Sequence, residues 1–217
     1  MHRREFLRLG GATIVGVAVL GACTSDNKAS PPPPGQPPTT VSPASANGVA
    51  LTDLALTKTA ASLEAMLVGA YRDLTASPLV TNEILLTYST TFMQHHQAHL
   101  DALNQVITAT NGQAAITAPN DVMENQIVRP ALAAAKTQDD LANLFFTLED
   151  ATAQAYVYST SAMGRAEIRS LMMTIGGIEA RHRALLGVRI EQQALADLFP
   201  TPFARTDNPL PADALVT

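Results

Sequence analysis

The chain has little cysteine, little charge and no long hydrophobic run. A single cysteine, Cys23, in 217 residues excludes an intramolecular disulfide and any Cys-x-x-Cys cluster site. No Gly-rich phosphate loop follows a strand and no Gly-x-Ser-x-Gly elbow occurs, which sets aside nucleotide binding and serine hydrolysis. Strand-like alternation is sparse, and basic residues are outnumbered, 14 Lys+Arg against 19 Asp+Glu. An acidic chain is a poor ligand for nucleic acid, so no nucleic-acid partner is expected.

What is present begins with Met1-His2-Arg3-Arg4-Glu5-Phe6-Leu7-Arg8, adjacent arginines followed by an apolar dipeptide. These lead into Leu9 to Leu20, twelve residues without charge, against the roughly 20 that span a bilayer. The segment reads as a twin-arginine export signal, residues 1–22, and implies the export machinery as a partner. Leu20-Gly21-Ala22-Cys23 resembles a bacterial lipobox, so Cys23 is expected to carry a diacylglycerol anchor at the membrane or cell envelope. Removal of residues 1–22 leaves 11 Lys+Arg against 18 Asp+Glu, a formal charge of −7. Residues 23–50, with Pro31-Pro32-Pro33-Pro34 and much Ser, Thr and Ala, offer almost nothing to bury and read as an extended spacer.

Residues 51–199 are long enough for one core and are rich in Ala, Leu, Thr and Gln. The expected fold is all-α, with residues 200–217 as a C-terminal tail. A first helix, about Thr52 to Thr75, repeats Thr57, Ala60, Ala61, Glu64, Leu67, Val68 and Tyr71 at helical steps. A second, about Asn82 to Ala109, aligns Leu85, Phe92, His96, His99, Leu103 and Ile107, and Asn111-Gly112 marks its exit. A third, about Gln138 to Met163, aligns Ala142, Phe145, Phe146, Glu149, Thr152, Ala153 and Tyr156. A fourth starts near Arg165 and carries Ile168, Leu171, Met172, Ile175, Glu179, His182 and Leu186 in phase, despite Gly176-Gly177. Short links join the first pair and the second pair, while Gly112 to Thr137, with Pro119, Pro130 and room for a short helix, reads as a crossover, giving two helical hairpins in series.

The hairpins echo each other. Glu64 and Tyr71 are seven residues apart, as are Glu149 and Tyr156, and the pairs are 85 residues apart; His99 and His182 are 83 apart. Each glutamate interrupts an apolar stripe, where an unpartnered carboxylate costs several kcal/mol, and no Lys or Arg lies in phase to neutralise it. A divalent metal bound by Glu64, His96, His99, Glu149, Glu179 and His182 would do so. This mixture of carboxylates and imidazoles suits iron, manganese or zinc better than calcium or copper(I). His95 lies about 100° round the helix from His96 and reads as solvated or as a group behind the ligands, with Gln94 and Gln97 on the surface. Tyr71 and Tyr156 need hydrogen-bond partners in a core, and the ligand glutamates are candidates. Met66, Met93, Met172 and Met173 read as packing residues.

One Glu from each of two helices with Glu179-Ala-Arg-His182 on another resembles the di-iron carboxylate pattern of the ferritin-like superfamily, over about Thr52 to Ile190. The resemblance implies a four-helix bundle with Glu64 and Glu149 as terminal carboxylates, His99 and His182 as terminal imidazoles and Glu179 as a bridge. In layout the chain most resembles the exported, often twin-arginine, ferritin-like domain proteins of bacteria. One position departs from the pattern: His96 stands where a bridging Glu is expected, and an imidazole lacks the paired oxygens of a carboxylate bridge. An asymmetric metal pair and a single ion both remain open. The resemblance implies one or two iron or manganese ions, ahead of zinc or copper, and an oxidase or peroxidase acting on dioxygen or hydrogen peroxide. The alternatives are a non-catalytic metal-binding module and a structural bundle with a vestigial site. No iron-storage cage is expected, since no extra cage-forming helix is apparent.

Overall fold

A computed structural model describes residues 45–46, 49–50, 52–189 and 210–216. The expected export signal, Cys23, most of the spacer, and residues 190–209 lie outside the described residues. Every described residue lies in one compact unit, Val41–Thr217. Just ahead of the helices, β1 (Ser45–Ala46) pairs antiparallel with β2 (Val49–Ala50), a two-residue ribbon inside the segment expected to be a spacer.

Four long helices follow where the apolar periodicity puts them: α1 (Asp53–Ala76), α2 (Glu83–Asn111), α4 (Gln138–Ala162) and α5 (Ala166–Arg189). Their ends are set by residues with short polar side chains. The hydroxyl of Thr52 accepts from Ala55 N, and the amide oxygen of Asn82 accepts from Ile84 N and Leu85 N. Thr137 and Asp140 form a reciprocal capping box at the start of α4. Gly112 closes α2 with φ of 61°, a left-handed conformation that glycine adopts without a Cβ penalty.

The crossover is itself helical. Its element α3 comprises Asp121–Met123, a π-turn over Glu124–Val128 and Arg129–Ala134. The wide turn lies just before Pro130, which has no N–H to donate, and Arg129 N reaches back five residues to Glu124 O.

Helices α1 and α2 pack as one hairpin and α4 and α5 as the other. Two side chains tie the hairpins together at their turns. The carboxylate of Asp53 accepts from Gly164 N and Arg165 N, 2.8 Å each, and the amide oxygen of Gln138 accepts from Thr81 N and Asn82 N. Helix α1 is enclosed well beyond one stripe, with fifteen of its 24 residues buried. The cause is a second layer over its outer face. Asn120 binds Ser62 O through its backbone N–H, and its side-chain amide donates to Ser62 Oγ and to Ala214 O. Val216 N donates to Thr59 Oγ1, so the described part of the C-terminal tail packs on the bundle around a 3-10 turn at Ala212–Ala214.

The core falls into two apolar halves. Leu56, Ala60, Leu103, Ile107, Ile168 and Met172 fill one end; Leu67, Leu74, Leu85, Phe145, Leu148 and Leu186 fill the other. On each long helix the glutamates and histidines lie between the two. Of the methionines read as packing residues, Met66 and Met172 are buried and Met93 is half-buried, but Met173 is exposed, since it sits about 100° round the helix from Met172.

Candidate metal centre

Each long helix delivers its polar residues to the middle of the bundle: Glu64 from α1, His96 and His99 from α2, Glu149 from α4, Glu179 and His182 from α5. Glu64, His96, Glu149 and Glu179 have no exposed surface, His182 has 2 %, and the side chain of His99 has 13 %. The spacing of three in His96/His99 and Glu179/His182 places each pair on one helix face. Among the described residues, the ion-pair partners of these three carboxylates are all histidines.

The six residues form two overlapping groups, each able to hold a metal ion. The first is Glu64, His96, His99 and Glu179; the second is His96, Glu149, Glu179 and His182. In the first, His96 Nδ1 lies 2.8 Å from Glu64 Oε2, His99 Nδ1 lies 2.9 Å from Glu179 Oε1, and His99 Nδ1 lies 3.6 Å from Glu64 Oε2. In the second, His96 Nε2 lies 3.1 Å from Glu149 Oε1, and His182 Nδ1 lies 3.3 Å from Glu149 Oε2 and 3.5 Å from Glu179 Oε2. Ligand atoms at about 2.0–2.2 Å from one ion stand roughly 3–3.5 Å from each other, which is the spacing seen.

Whether the donor set fits a metal can be read from its hydrogen bonds. His99 Nδ1, Glu149 Oε2, Glu179 Oε1, Glu179 Oε2 and His182 Nδ1 are buried with no hydrogen-bond partner. His99 Nδ1 and Glu179 Oε1 are close enough to bond at 2.9 Å but are not aligned to do so. Buried polar atoms are ordinarily paired. Five orphans crowded together without aiming at one another are what ligands converging on a common point look like. The residues present fit a divalent cation.

Without an ion, protons carry the balancing charge. Burial alone would lower His99, but the carboxylates of Glu179 and Glu64 outweigh it and hold the imidazole at about 9. His96 is pushed well above the ordinary histidine range against its burial by Glu179 and Glu149, and His182 is raised by Glu149 and Glu179. Burial works to raise Glu64 and Glu149, yet the histidines beside them, His96 and His99 for Glu64 and His96 and His182 for Glu149, hold both low. Glu179 goes the other way: burial and the charges of Glu64 and Glu149 leave it raised despite His96.

The surrounding side chains fix these groups. Tyr71 on α1 donates its hydroxyl hydrogen to Glu149 Oε1 on α4, and Tyr156 on α4 donates to Glu64 Oε1 on α1. Burial and these carboxylates hold both phenols well above their ordinary range, so both remain donors. His95 is an exposed residue whose Nδ1 lies 2.9 Å from His182 Nε2, behind the face that His182 turns to the cluster; its ring is lowered by burial and by His182. Phe92 stacks on His182 at 3.9 Å between centroids. Gln94 and Gln97 are exposed, as expected.

Two features were not visible in the sequence reading. The reading of His96 as a poor substitute for a bridge missed that its two ring nitrogens face different groups. Gly176 also has a purpose: a Cβ there would stand 2.8 Å from Tyr156 Cβ, so α5 and α4 meet at backbone distance beside the tyrosine that holds Glu64. A glycine within an otherwise good helical stripe was the available signal.

A family model described as a ferritin-like domain matches residues 52–192. No curated protein and no solved structure matches the chain.

Proposed function

The chain belongs to the ferritin-like domain family, and we propose on that premise that it is an exported, lipid-anchored protein that binds iron or manganese between its helices and acts as an oxidase or peroxidase. The observation that carries the metal reading is the set of five buried ligand atoms without hydrogen-bond partners, divided between two groups that share His96 and Glu179.

Glu64 and His99 would hold one ion and Glu149 and His182 the other, with Glu179 turning one oxygen to each. When bound, iron or manganese supplies redox chemistry toward dioxygen or hydrogen peroxide at open coordination positions. The chain's own residues set the conditions for it. Tyr71 holds Glu149 Oε1 and Tyr156 holds Glu64 Oε1, and His95 and Phe92 fix the ring of His182. The two apolar core halves exclude bulk water on either side. Of the six ligands only His99 has more than 2 % exposure, which favours a small oxidant over a large organic substrate.

Export and anchoring rest on the sequence: Arg3-Arg4, the apolar run behind them, and Cys23 at its end. The second reading, a metal-binding module without catalysis, is favoured by one observation, the replacement of a bridging carboxylate by His96. A purely structural cluster is disfavoured, because it leaves five buried polar atoms without a hydrogen bond.

The deciding experiment is elemental mass spectrometry on the full-length protein, purified without chelators from an iron- and manganese-replete host. Close to two iron or manganese ions per chain, with spectral change on adding hydrogen peroxide, is expected. Bound metal inert to both oxidants would establish the module instead, and no metal even after reconstitution would overturn both readings.

A further inference from the structure

We propose that His96 is itself a bridging ligand, its ring standing between two metal ions with one nitrogen bound to each, so that the pair is held wide apart. The inference rests on the metal-binding reading above and concerns how the two ions are joined.

The ring addresses the two groups through different atoms. Its Nδ1 lies 2.8 Å from Glu64 Oε2 and 3.7 Å from Glu179 Oε1, while Nε2 lies 3.1 Å from Glu149 Oε1. Glu179 spans the same two groups, with Oε1 2.9 Å from His99 Nδ1 and Oε2 3.5 Å from His182 Nδ1. These two spanning residues differ in the separation they permit. Two-metal sites closed by small bridges have ions about 3.5–4 Å apart. A rigid ring with metal–nitrogen bonds of about 2.0–2.1 Å on each side sets them roughly 6 Å apart. Glu179 can open its angle to follow; the ring cannot shrink.

His96 is also held against turning away. It has no exposed surface, stacks on Tyr71 at 5.2 Å with planes 21° apart, and meets His99 and His182 edge-on at 6.0 Å and 5.2 Å. Both nitrogens are within hydrogen-bond distance of a carboxylate, Nδ1 of Glu64 Oε2 and Nε2 of Glu149 Oε1, which fixes the direction of each. As the ions bind, any proton on Nδ1 or Nε2 passes to solvent, since only bare nitrogens coordinate. The opposed arrangement is a permanently protonated ring that pairs Glu64 with Glu149 and binds nothing.

The test uses metal-free full-length protein loaded with cobalt(II) alone, which binds nitrogen ligands more strongly than iron(II) or manganese(II). Bound ions are counted by elemental mass spectrometry and located by anomalous diffraction, with His96→Glu in parallel. The expected result is two ions roughly 6 Å apart with the His96 ring between them, closing to about 3.5–4 Å in His96→Glu, where a carboxylate replaces the ring. Two ions at the short separation in the native protein, or one ion only, would overturn the bridge and leave the metal reading standing. An unchanged long separation in His96→Glu would likewise remove the ring as the spacer. No bound ion in the native protein would bring down the metal reading and the bridge with it. The native measurement decides alone if the variant does not fold.

Discussion

Tyr71 gives its hydroxyl hydrogen to Glu149, on the helix across the bundle, and not to Glu64 two turns away on its own helix. Tyr156 makes the mirrored bond to Glu64. Each hairpin therefore orients a buried glutamate of the other, and the echo seen as equal Glu-to-Tyr spacings becomes a pair of reciprocal clasps. The clasps join α1 to α4 at the level of the site, where a shift of either helix would pull a carboxylate oxygen off its group.

Tyr156→Phe should leave Glu64 Oε1 without its donor, and Tyr71→Phe should leave Glu149 Oε1 with His96 Nε2 alone, each costing about 1–3 kcal/mol. The double variant should cost more than either alone and should also weaken metal binding. Urea denaturation of the metal-free protein, with and without added metal, reads both effects. A double variant as stable as the native chain would show that the clasps are incidental.

His95→Ala should retain full metal stoichiometry but bind roughly 10–100-fold more weakly, as expected for loss of a group that holds a ligand from behind. Isothermal titration with manganese(II) measures this. Loss of one ion per chain would make His95 a ligand, and no change in affinity would reduce the 2.9 Å contact with His182 to proximity.

The metal-free protein should lose stability on both sides of a mildly acidic optimum. His99, raised to about 9 from an ordinary 6.5, contributes stability that is complete below 6.5 and lost as pH rises through about 9. His96 and His182 are raised and act in the same direction, as does Glu179. Glu64 and Glu149 are lowered, so their contribution is present above their ordinary 4.5 and lost as pH falls below it. Urea midpoints of the metal-free protein should therefore be higher at about pH 6 than at about pH 9.5. Bound metal should remove much of the alkaline loss, since it replaces the protons. Equal midpoints without metal would contradict the charge arrangement.

Gly176→Ala should destabilise by about 1–3 kcal/mol, because the new methyl group meets the Cβ of Tyr156 near the backbone, where no rotamer change relieves it. Gly177→Ala is the control: nothing lies within 4 Å of its Cβ position, and it should be neutral or stabilising. Thermal denaturation of the two variants gives the comparison, and equal midpoints would refute close packing at Gly176.

Arg3→Lys with Arg4→Lys should stop export, and Cys23→Ser should release an exported protein from the membrane fraction. Fractionation and intact-mass measurement test both. A Cys23→Ser variant that remains with the membrane would remove the lipid anchor from the proposed function.

The sequence by itself determined the four long helices, their order and which acidic and imidazole side chains enter the core. Apolar positions at three- and four-residue steps define a helix face through local geometry alone, and an acidic or imidazole side chain within that face must end in a core. Thr52, Asn82, Thr137 and Gly112 mark helix ends because their side chains, or the lack of one, complete the terminal backbone.

The tertiary structure decided what depends on how one helix is rotated and offset against another. That the tyrosines cross, that His96 faces both groups, and that His95 reaches His182 all follow from registers between α1, α2, α4 and α5, which no one-helix periodicity contains. The enclosure of α1 was hidden for the same reason. Thr59 and Ser62 look like surface residues until the crossover and the C-terminal turn cover them and use their polar atoms as partners. Which polar side chains enter the core is a local property of the chain, whereas the atom each presents, and to which neighbour, is set by packing between elements distant in sequence.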